Sequence, residues 1–147
     1  MTESEERAKL WLNRNYNKAL EVQAIQRRLE RLNADLEKCV KPIRIREVIE
    51  GNIAENGQEE RMAEYIDLSE ELSRRLMYLV SLDRKTLDVI EKVDSSILRT
   101  ILIERYINRL KWKDIAAIVH FEERRLFDYH LQALAAVLPF IPKEAIE

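Results

Sequence analysis

Three short segments between residues 96 and 138 carry apolar side chains at helical spacing, and they limit the fold more than any other feature of the sequence. The three stripes are Ile97, Leu98, Ile101 and Leu102; Trp112, Ile115, Ala116 and Val119; and Leu126, Tyr129, Ala133, Leu134 and Val137. A stripe of this kind gives a helix one buried face. The segments run over residues 96–108, 112–119 and 122–138, so only His120 and Phe121 lie between the second and the third. The sequence therefore predicts two amphipathic helices joined by a turn of about three residues, which is the spacing of a helix-turn-helix.

Two longer helices are predicted upstream. The first spans residues 3–40 and has a heptad stripe with spacing 3-4-3-4-3: Val22, Ile25, Leu29, Leu32, Leu36 and Cys39. The second spans residues 58–93, and its stripe is Met62, Tyr65, Leu72, Leu76, Leu79, Ile90 and Val93. Asp83 interrupts that stripe and is either a kink or an exposed turn. The intervening residues, with Pro42, a strand-like alternation at 43–49 and turn signals at Gly51 and Gly57, are interpreted as an ordered connection and a loop.

These elements predict an all-α fold, in which a long antiparallel, coiled-coil-like helical hairpin precedes a C-terminal helix-turn-helix module. The predicted domains are residues 1–93, as a dimerisation or docking arm, and residues 94–147, as the module. Asp94, Ser95 and Ser96 are the candidate N-caps at the junction. The composition agrees, because two Gly and three Pro among 147 residues leave too little turn chemistry for a many-stranded fold.

We identify no group of residues in this sequence at the spacing that catalysis or metal binding requires. Cys39 is the single cysteine, so it supports neither a disulfide framework nor a zinc site, and its apolar position predicts a buried thiol. The two histidines, His120 and His130, have no second ligand at metal-binding spacing, and the two separated glycines make no phosphate loop. We therefore predict no enzyme activity, no cofactor and no metal.

The charge pattern and the N-terminal sequence bear on partners and location. The formal net charge is −2, which argues mildly against a compact nucleic-acid binder, yet residues 99–125 contain seven Lys or Arg and four Asp or Glu. The N-terminus is acidic and no apolar run approaches the roughly 20 residues of a membrane helix. We expect a cytoplasmic protein without a membrane segment.

The C-terminal third also resembles a known family. The motifs that carry the resemblance are Arg105-Tyr-Ile-Asn, Trp112-x-x-Ile115-Ala116, Arg124-Arg-Leu-Phe-x-x-His130 and Ala133-Leu134. They resemble the C-terminal half of phage-encoded transcriptional regulators of the RinA and ArpU kind, which in turn look like region 4 of sigma-70 factors, the part that reads the −35 promoter element. The resemblance implies a DNA-binding transcriptional regulator of phage or prophage origin that switches on late genes alongside RNA polymerase.

This chain departs from the family pattern at four positions. The family has a Gly and a Ser or Thr shortly before the Trp, where this chain has Arg109 and Lys111. The turn has a Gly where this chain has His120, and the reading helix has an Arg where this chain has Asp128. An acid on a DNA-facing surface opposes binding, because phosphates dominate the affinity.

The candidate DNA contacts follow from position in the motif. Arg124 and Arg125 fall in the first turn of the second helix, where base edges are read, whereas Lys111 and Lys113 flank the first helix, where phosphates pass. Phe127 is predicted to face outward, toward a thymine methyl, the hairpin or a second chain. The alternatives are ion pairing of the arginines with Glu122, Glu123 or Asp128, and ordinary solubility for the lysines. The full predicted set is Arg109, Lys111, Lys113, Arg124, Arg125, Phe127 and Asp128.

Two functional hypotheses remain open from the sequence. The first is a regulator that binds double-stranded DNA through the module, contacts RNA polymerase, and forms a homodimer through the heptad stripes. The second is a helical protein–protein adaptor, or a phage DNA-packaging component, without sequence-specific DNA binding. Asp128 and the acidic total charge favour the second.

Overall fold

The computed structural model describes residues 1–40 and 57–143, apart from the side chains of residues 39 and 40. Over these ranges every assigned element is helical and no strand occurs, which confirms the prediction of an all-α fold. No helix in the same ranges is long and apolar enough to cross a membrane. The predicted connection at 43–49, the turn at Gly51 and the buried thiol of Cys39 lie outside the described residues.

Six helices define the described fold. They are α1 (Glu3–Leu12), α2 (Tyr16–Val40), α3 (Gln58–Ile90), α4 (Ser96–Leu102), α5 (Trp112–Val119) and α6 (Glu123–Val137). A π-helical turn, Ile103–Ile107, extends α4, and a 3₁₀ turn, Leu138–Phe140, follows α6. Ser95 is the N-cap of α4, as the sequence predicts, and its hydroxyl accepts a hydrogen bond from the Leu98 N–H.

The chain forms two compact units, and they divide it differently from the predicted boundary at residues 93 and 94. The first unit contains Met1–Asn17 and the chain from Val80 onward, and the second contains Lys18–Leu79. The predicted arm therefore contributes α1 and the end of α3 to the unit that holds α5 and α6. Heptad spacing shows that Ile90 and Val93 are buried, but it does not show which helices bury them.

The prediction of one helix over residues 3–40 is wrong at residues 13–15, where α1 ends and α2 has not begun. Asn13 is the C-cap of α1, and hydrogen bonds from Arg14 N–H to Trp11 O and from Tyr16 N–H to Asn13 O close a turn. Asn favours caps and turns over helix interiors, because its side chain competes for backbone hydrogen bonds. The guanidinium of Arg14 covers the Trp11 ring at 3.8 Å, and the bend allows α1 to bury Trp11 in the first unit.

The first unit has a large apolar cluster in which α1 meets α6. Its members come from α1, from the end of α3, from α4 with its π-helical turn, and from α6 with the residues after it: Ala8, Trp11, Leu12, Val89, Ile90, Val93, Leu102, Tyr106, Ala133, Leu134, Val137 and Ile141. Leu12, Ile90 and Leu134 are almost completely buried. A fully buried Leu or Ile contributes roughly 1.5–3 kcal/mol, so this cluster accounts for much of the stability of the unit.

The second unit consists of α2 and the larger part of α3. Ala19 and Val22 pack with Leu79, and Leu72 lies against them. Glu21 pairs with Arg75 at 3.2 Å and Arg28 pairs with Glu64 at 3.0 Å. The partner's number falls as the residue number along α2 rises, so the two helices run antiparallel.

Asp83 is not an exposed turn, because α3 continues through it to Ile90. Its two carboxylate oxygens accept from the two terminal nitrogens of Arg109 at 2.9 and 3.0 Å. The side chains of both residues are largely buried, with 16% and 13% of their surface exposed. A bidentate pair in that environment is stronger than a surface ion pair.

We predict that Asp83→Asn lowers the free energy of unfolding by about 2–3 kcal/mol, because it leaves a buried guanidinium without its counter-charge. The matched control is Asp88→Asn in the same helix. Asp88 pairs with Arg84 at 3.0 Å, but both side chains are more than half exposed. That control should lose less than about 1 kcal/mol. Urea denaturation followed by circular dichroism measures both, and equal losses would contradict the structural role of the Asp83–Arg109 pair.

Candidate nucleic-acid interface

A second, smaller apolar cluster of the first unit holds α4, α5 and α6 together. Its buried members are Ile101, Ile115, Ala116 and Leu126, and the half-buried side chains around it include Trp112, Val119, Phe121 and Tyr129. All of them except Phe121 belong to the helical stripes in the sequence. Their inward placement turns the opposite faces of α5 and α6 toward solvent.

The connection between α5 and α6 is a tight turn at His120. The His120 backbone is left-handed, with φ 60° and ψ 39°. Hydrogen bonds from the N–H groups of His120 and Phe121 to Ala116 O satisfy the end of α5, as is typical of a left-handed helix C-terminus. A side chain with a Cβ costs about 1 kcal/mol relative to Gly in this conformation.

Behind these helices lies a buried polar pair, Tyr106 and His130. The Tyr106 hydroxyl lies 2.6 Å from His130 Nε2, and both side chains are about 2% exposed. The Trp112 ring meets the imidazole edge-on at a centroid distance of 4.5 Å. Burial lowers the pKa of His130 to about 4, with smaller contributions from Lys9 and Arg105. Burial also raises the pKa of Tyr106 well above its ordinary value, so both groups are neutral, and the histidine tautomer sets which of the two donates the hydrogen bond.

The predicted DNA contacts differ in their surroundings. Arg124, Lys111, Lys113 and Asp128 are exposed, and none of them forms an ion pair within the part of the chain that the structure describes. The predicted alternative, in which Arg124 pairs with Glu122, Glu123 or Asp128, is therefore not the arrangement in this structure. Arg124 and Asp128, one helical turn apart on α6, share its outer face.

The other three predicted residues have identifiable contacts or apolar exposure. The Arg125 guanidinium lies over the Phe121 ring at 4.6 Å and near the Tyr129 ring at 5.6 Å. Arg109 is held by Asp83 and donates to the Ile107 carbonyl as well. The Phe127 side chain is 52% exposed on α6. Arg109 is thus a structural residue of the first unit, whereas Phe127 is available to a partner.

Three of the positions that depart from the family pattern have special backbone geometry. Arg109 is left-handed, with φ 57°, and His120 is left-handed, with φ 60°. Lys111 is the extended N-cap of α5, with φ −71° and ψ 150°. Gly favours the first two conformations, and Ser or Thr favours the third.

The N-termini of α5 and α6 lack side-chain caps. The N-caps are Lys111 and Glu122, and neither makes a capping hydrogen bond. By contrast, Thr2 caps α1 and Ser95 caps α4. Among the described residues, the first-turn N–H groups of α5 and α6 therefore have no side-chain acceptor, and such groups bind phosphate oxygens readily.

A cleft of about 400 Å³ lies beside the N-terminus of α5 in the first unit. It is lined by Asn13, Tyr16, Asn17, Arg105, Arg109 and Lys111. Sequence reasoning found Arg109 and Lys111 but missed the other four. The signal in the sequence for these residues is Asn-Arg-Asn at 13–15, because two Asn so close together in a predicted helix disfavour a continuous helix.

Searches of family models, curated proteins and solved structures find no match to this chain. Within residues 1–40 and 57–143 no group of three or more His, Cys, Asp or Glu side chains is placed to hold a metal ion. The exposed faces of α5 and α6 and the adjoining cleft are therefore the features from which a function is inferred.

We predict that the free energy of unfolding falls by about 3 kcal/mol between pH 7 and pH 4 because of His130. The unfolded imidazole binds a proton near pH 6.5, whereas the folded one does so only near pH 4. The stabilisation is thus complete above pH 6.5 and is lost as the pH falls toward 4. Urea denaturation at a series of pH values measures the slope.

The control for this pH dependence uses the second histidine. His120→Asn retains a residue that tolerates the left-handed conformation and should keep the wild-type slope. His130→Gln should flatten the slope between pH 6.5 and 4, whatever its effect at neutral pH. An unchanged slope in His130→Gln would show that another group is responsible.

Proposed function

We propose that the chain is a DNA-binding transcriptional regulator of phage or prophage origin, in which α5 and α6 act as a helix-turn-helix on double-stranded DNA. The observation that carries the proposal is the arrangement of two short helices on one apolar cluster, with a left-handed turn between them. Arg124, in the first turn of α6, is exposed and makes no ion pair among the described residues. A reading helix requires a rigid support and side chains that are free to meet base edges.

The electrostatics of this surface support the proposal. Lys111 and Lys113 are exposed at the start of α5, where a helix that crosses the DNA backbone meets phosphates. Lys111 replaces a capping residue and places a cation at a helix N-terminus, which is unfavourable for an isolated helix. A DNA phosphate would remove that cost, because it would accept from the ammonium group and from the first-turn N–H groups together.

The family resemblance adds to this support. The family pattern has Gly at the positions of Arg109 and His120, and both positions have a left-handed backbone, which suits Gly. It has Ser or Thr at the position of Lys111, which is the N-cap of α5 and suits those residues. On this proposal the protein activates late genes together with RNA polymerase. The exposed Phe127 and Ile118, which are 52% and 51% exposed, are then available to contact the polymerase.

We predict distinct effects for three substitutions in a mobility-shift assay. The DNA that surrounds the protein's own gene is the first source of a preferred site. At that site Arg124→Ala should weaken binding by about 1–3 kcal/mol and reduce the preference for that sequence over others. Lys113→Ala should weaken binding to all sequences alike and reduce the salt slope by about one. Asp128→Asn should tighten non-specific binding, because it removes an anion from the DNA-facing side. Arg31→Ala, which removes an exposed cation from α2, is the charge-matched control and should change little.

A second candidate function is a helical protein–protein adaptor or DNA-packaging component. The exposed carboxylate of Asp128 on the outer face of α6, the apolar Phe127 beside it and the net charge of −2 favour it. Salt-dependent binding to generic duplex DNA separates the two candidates. If Arg124→Ala, Lys113→Ala and Asp128→Asn all leave DNA affinity unchanged at low salt, the adaptor is the better account.

We also propose that the chain forms a homodimer through α3. The heptad stripe of the second unit is used within the chain, since Leu72 and Leu79 pack with Val22 of α2. Met62, from the N-terminal end of that stripe, and two apolar side chains outside it stay exposed on α3, with Met62 at 42%, Ile66 at 51% and Met77 at 71%. These three lie 4 and 11 positions apart, which places them on one side of the helix. A second copy offers the same side, as a two-fold symmetric interface requires.

We predict that Ile66→Glu converts the protein from dimer to monomer, because it places a charge in the middle of this exposed stripe. Ala34→Glu introduces the same residue at an exposed position of α2 and should leave the dimer intact. Light scattering at micromolar concentration measures the mass of each variant. A monomeric wild type would overturn the proposed dimer.

A further inference from the structure

We infer that the cleft lined by Asn13, Tyr16, Asn17, Arg105, Arg109 and Lys111 is a phosphate-binding site. All six residues belong to the first unit. The donors come from two distant parts of the sequence, the break between α1 and α2 and the segment before α5. Under the proposed function, the natural ligand of the cleft is a phosphate of the DNA backbone, and in that respect the inference rests on the proposed function.

The charge of the cleft is positive and largely uncompensated. Among the described residues, three cationic side chains line it and no carboxylate does. Asp83 neutralises Arg109 through the bidentate pair, but Arg105 and Lys111 make no ion pair among the described residues. Two uncompensated cations that face one cleft repel each other, and a bound anion removes that repulsion.

Arg105 is fixed in place before any ligand arrives. Its guanidinium lies over the Trp112 ring at 4.6 Å and donates one hydrogen bond, of 2.9 Å, to the Leu110 carbonyl. Neither contact neutralises its charge. A guanidinium has five N–H donors, so most remain for a ligand, and its planar fork matches two oxygens of a phosphate.

The remaining lining groups complete a set of donors. Asn13 and Asn17 supply amide N–H groups, Tyr16 supplies a hydroxyl, and Lys111 supplies an ammonium group. A mixture of two charged and several neutral donors suits an oxyanion with several acceptor oxygens. A volume of about 400 Å³ is larger than one phosphate group needs, so a phosphate that is part of a longer molecule also fits.

The position of Lys111 links the cleft to the proposed DNA interface. Lys111 both lines the cleft and forms the N-cap of α5. A backbone phosphate in the cleft would therefore lie next to the uncapped first turn of α5, and residues 13–17 would join the DNA-binding surface. The same groups would donate hydrogen bonds to the phosphate of a free ester. The experiment distinguishes the DNA backbone from a free phosphate ester as the ligand.

Asn17→Asp is the variant that tests the site. It places a carboxylate in the cleft without removing any residue assigned to the helix-turn-helix. Asn17 lies in the first turn of α2, which contains no acidic residue, and an acid there is favourable for a helix. Asn33→Asp makes the same change at an exposed position of α2, roughly 24 Å further along the helix axis at 1.5 Å per residue. Urea denaturation should show that both variants fold.

Two titrations with the full-length protein give the result. In the first, duplex DNA should bind Asn17→Asp at least about tenfold more weakly than the wild type at low salt, with a salt slope smaller by about one, while Asn33→Asp matches the wild type. In the second, inorganic phosphate at constant ionic strength should change tryptophan fluorescence in the wild type and in Asn33→Asp but not in Asn17→Asp. The reporter is Trp112, on which Arg105 is stacked.

The outcomes separate the site from the proposed function. If the wild type binds DNA and Asn17→Asp equals Asn33→Asp in both titrations, the phosphate site is overturned and the DNA-binding function stands. If the wild type binds no DNA but Asn17→Asp alone loses phosphate binding, the site stands, its ligand is a free phosphate ester, and the DNA-binding function fails. If the wild type binds neither DNA nor phosphate, both are overturned.

Discussion

The inner face of α6 joins the two apolar clusters of the first unit, and the positions of the proposed DNA contacts depend on it. Leu126 belongs to the cluster with α5, whereas Ala133, Leu134 and Val137 belong to the cluster with α1 and the end of α3. A helix that is held along its whole length cannot rotate, so the outward direction of Arg124 is set by residues up to about three and a half turns away. The proposed reading face is thus a product of the core of the entire unit.

Polar contacts add orientation to this apolar framework. The bidentate pair of Asp83 and Arg109 ties α3 to the segment before α5. The buried hydrogen bond between Tyr106 and His130 ties the π-helical turn to α6. Because each buried partner would be left unsatisfied in any other packing, the two pairs favour a single arrangement of the helices. The Tyr106–His130 pair lies in the interior of the unit, whereas Arg109 also lines the cleft that contains Lys111.

The helices were predictable from the sequence to different degrees. The segments with apolar stripes around Ile115, Leu126 and Leu134 predicted the ends of α5 and α6 to within one residue. Residues that are buried on one face of a helix recur with the helical period, and this period is visible in the sequence. The break at residues 13–15 was not predicted. Asn has only a modest intrinsic cost in a helix, and the bend is decided by the burial of Trp11 against distant residues.

The candidate site was predictable only in part. Position in the motif was enough to identify Arg124, Lys111 and Lys113 as exposed cations. The sequence could not show that Asp83, 26 residues away, holds Arg109, nor that Asn17 lies in the same cleft as Lys111. Such contacts depend on how α1 and α3 pack. The spacing of residues along one helix contains no information about which residue of another helix they contact.

The packing of α1 against α6 also has a consequence for synthesis on the ribosome. Leu12 and Ala133 share one cluster at a sequence separation of about 120 residues, so the contacts of α1 are among the least local in the chain. The apolar face of α1 is without α6, its partner in this cluster, until the residues of α6 have emerged from the ribosome. During that interval the nascent chain exposes Trp11 and Leu12, and it is then that chaperone binding or aggregation competes most strongly with folding.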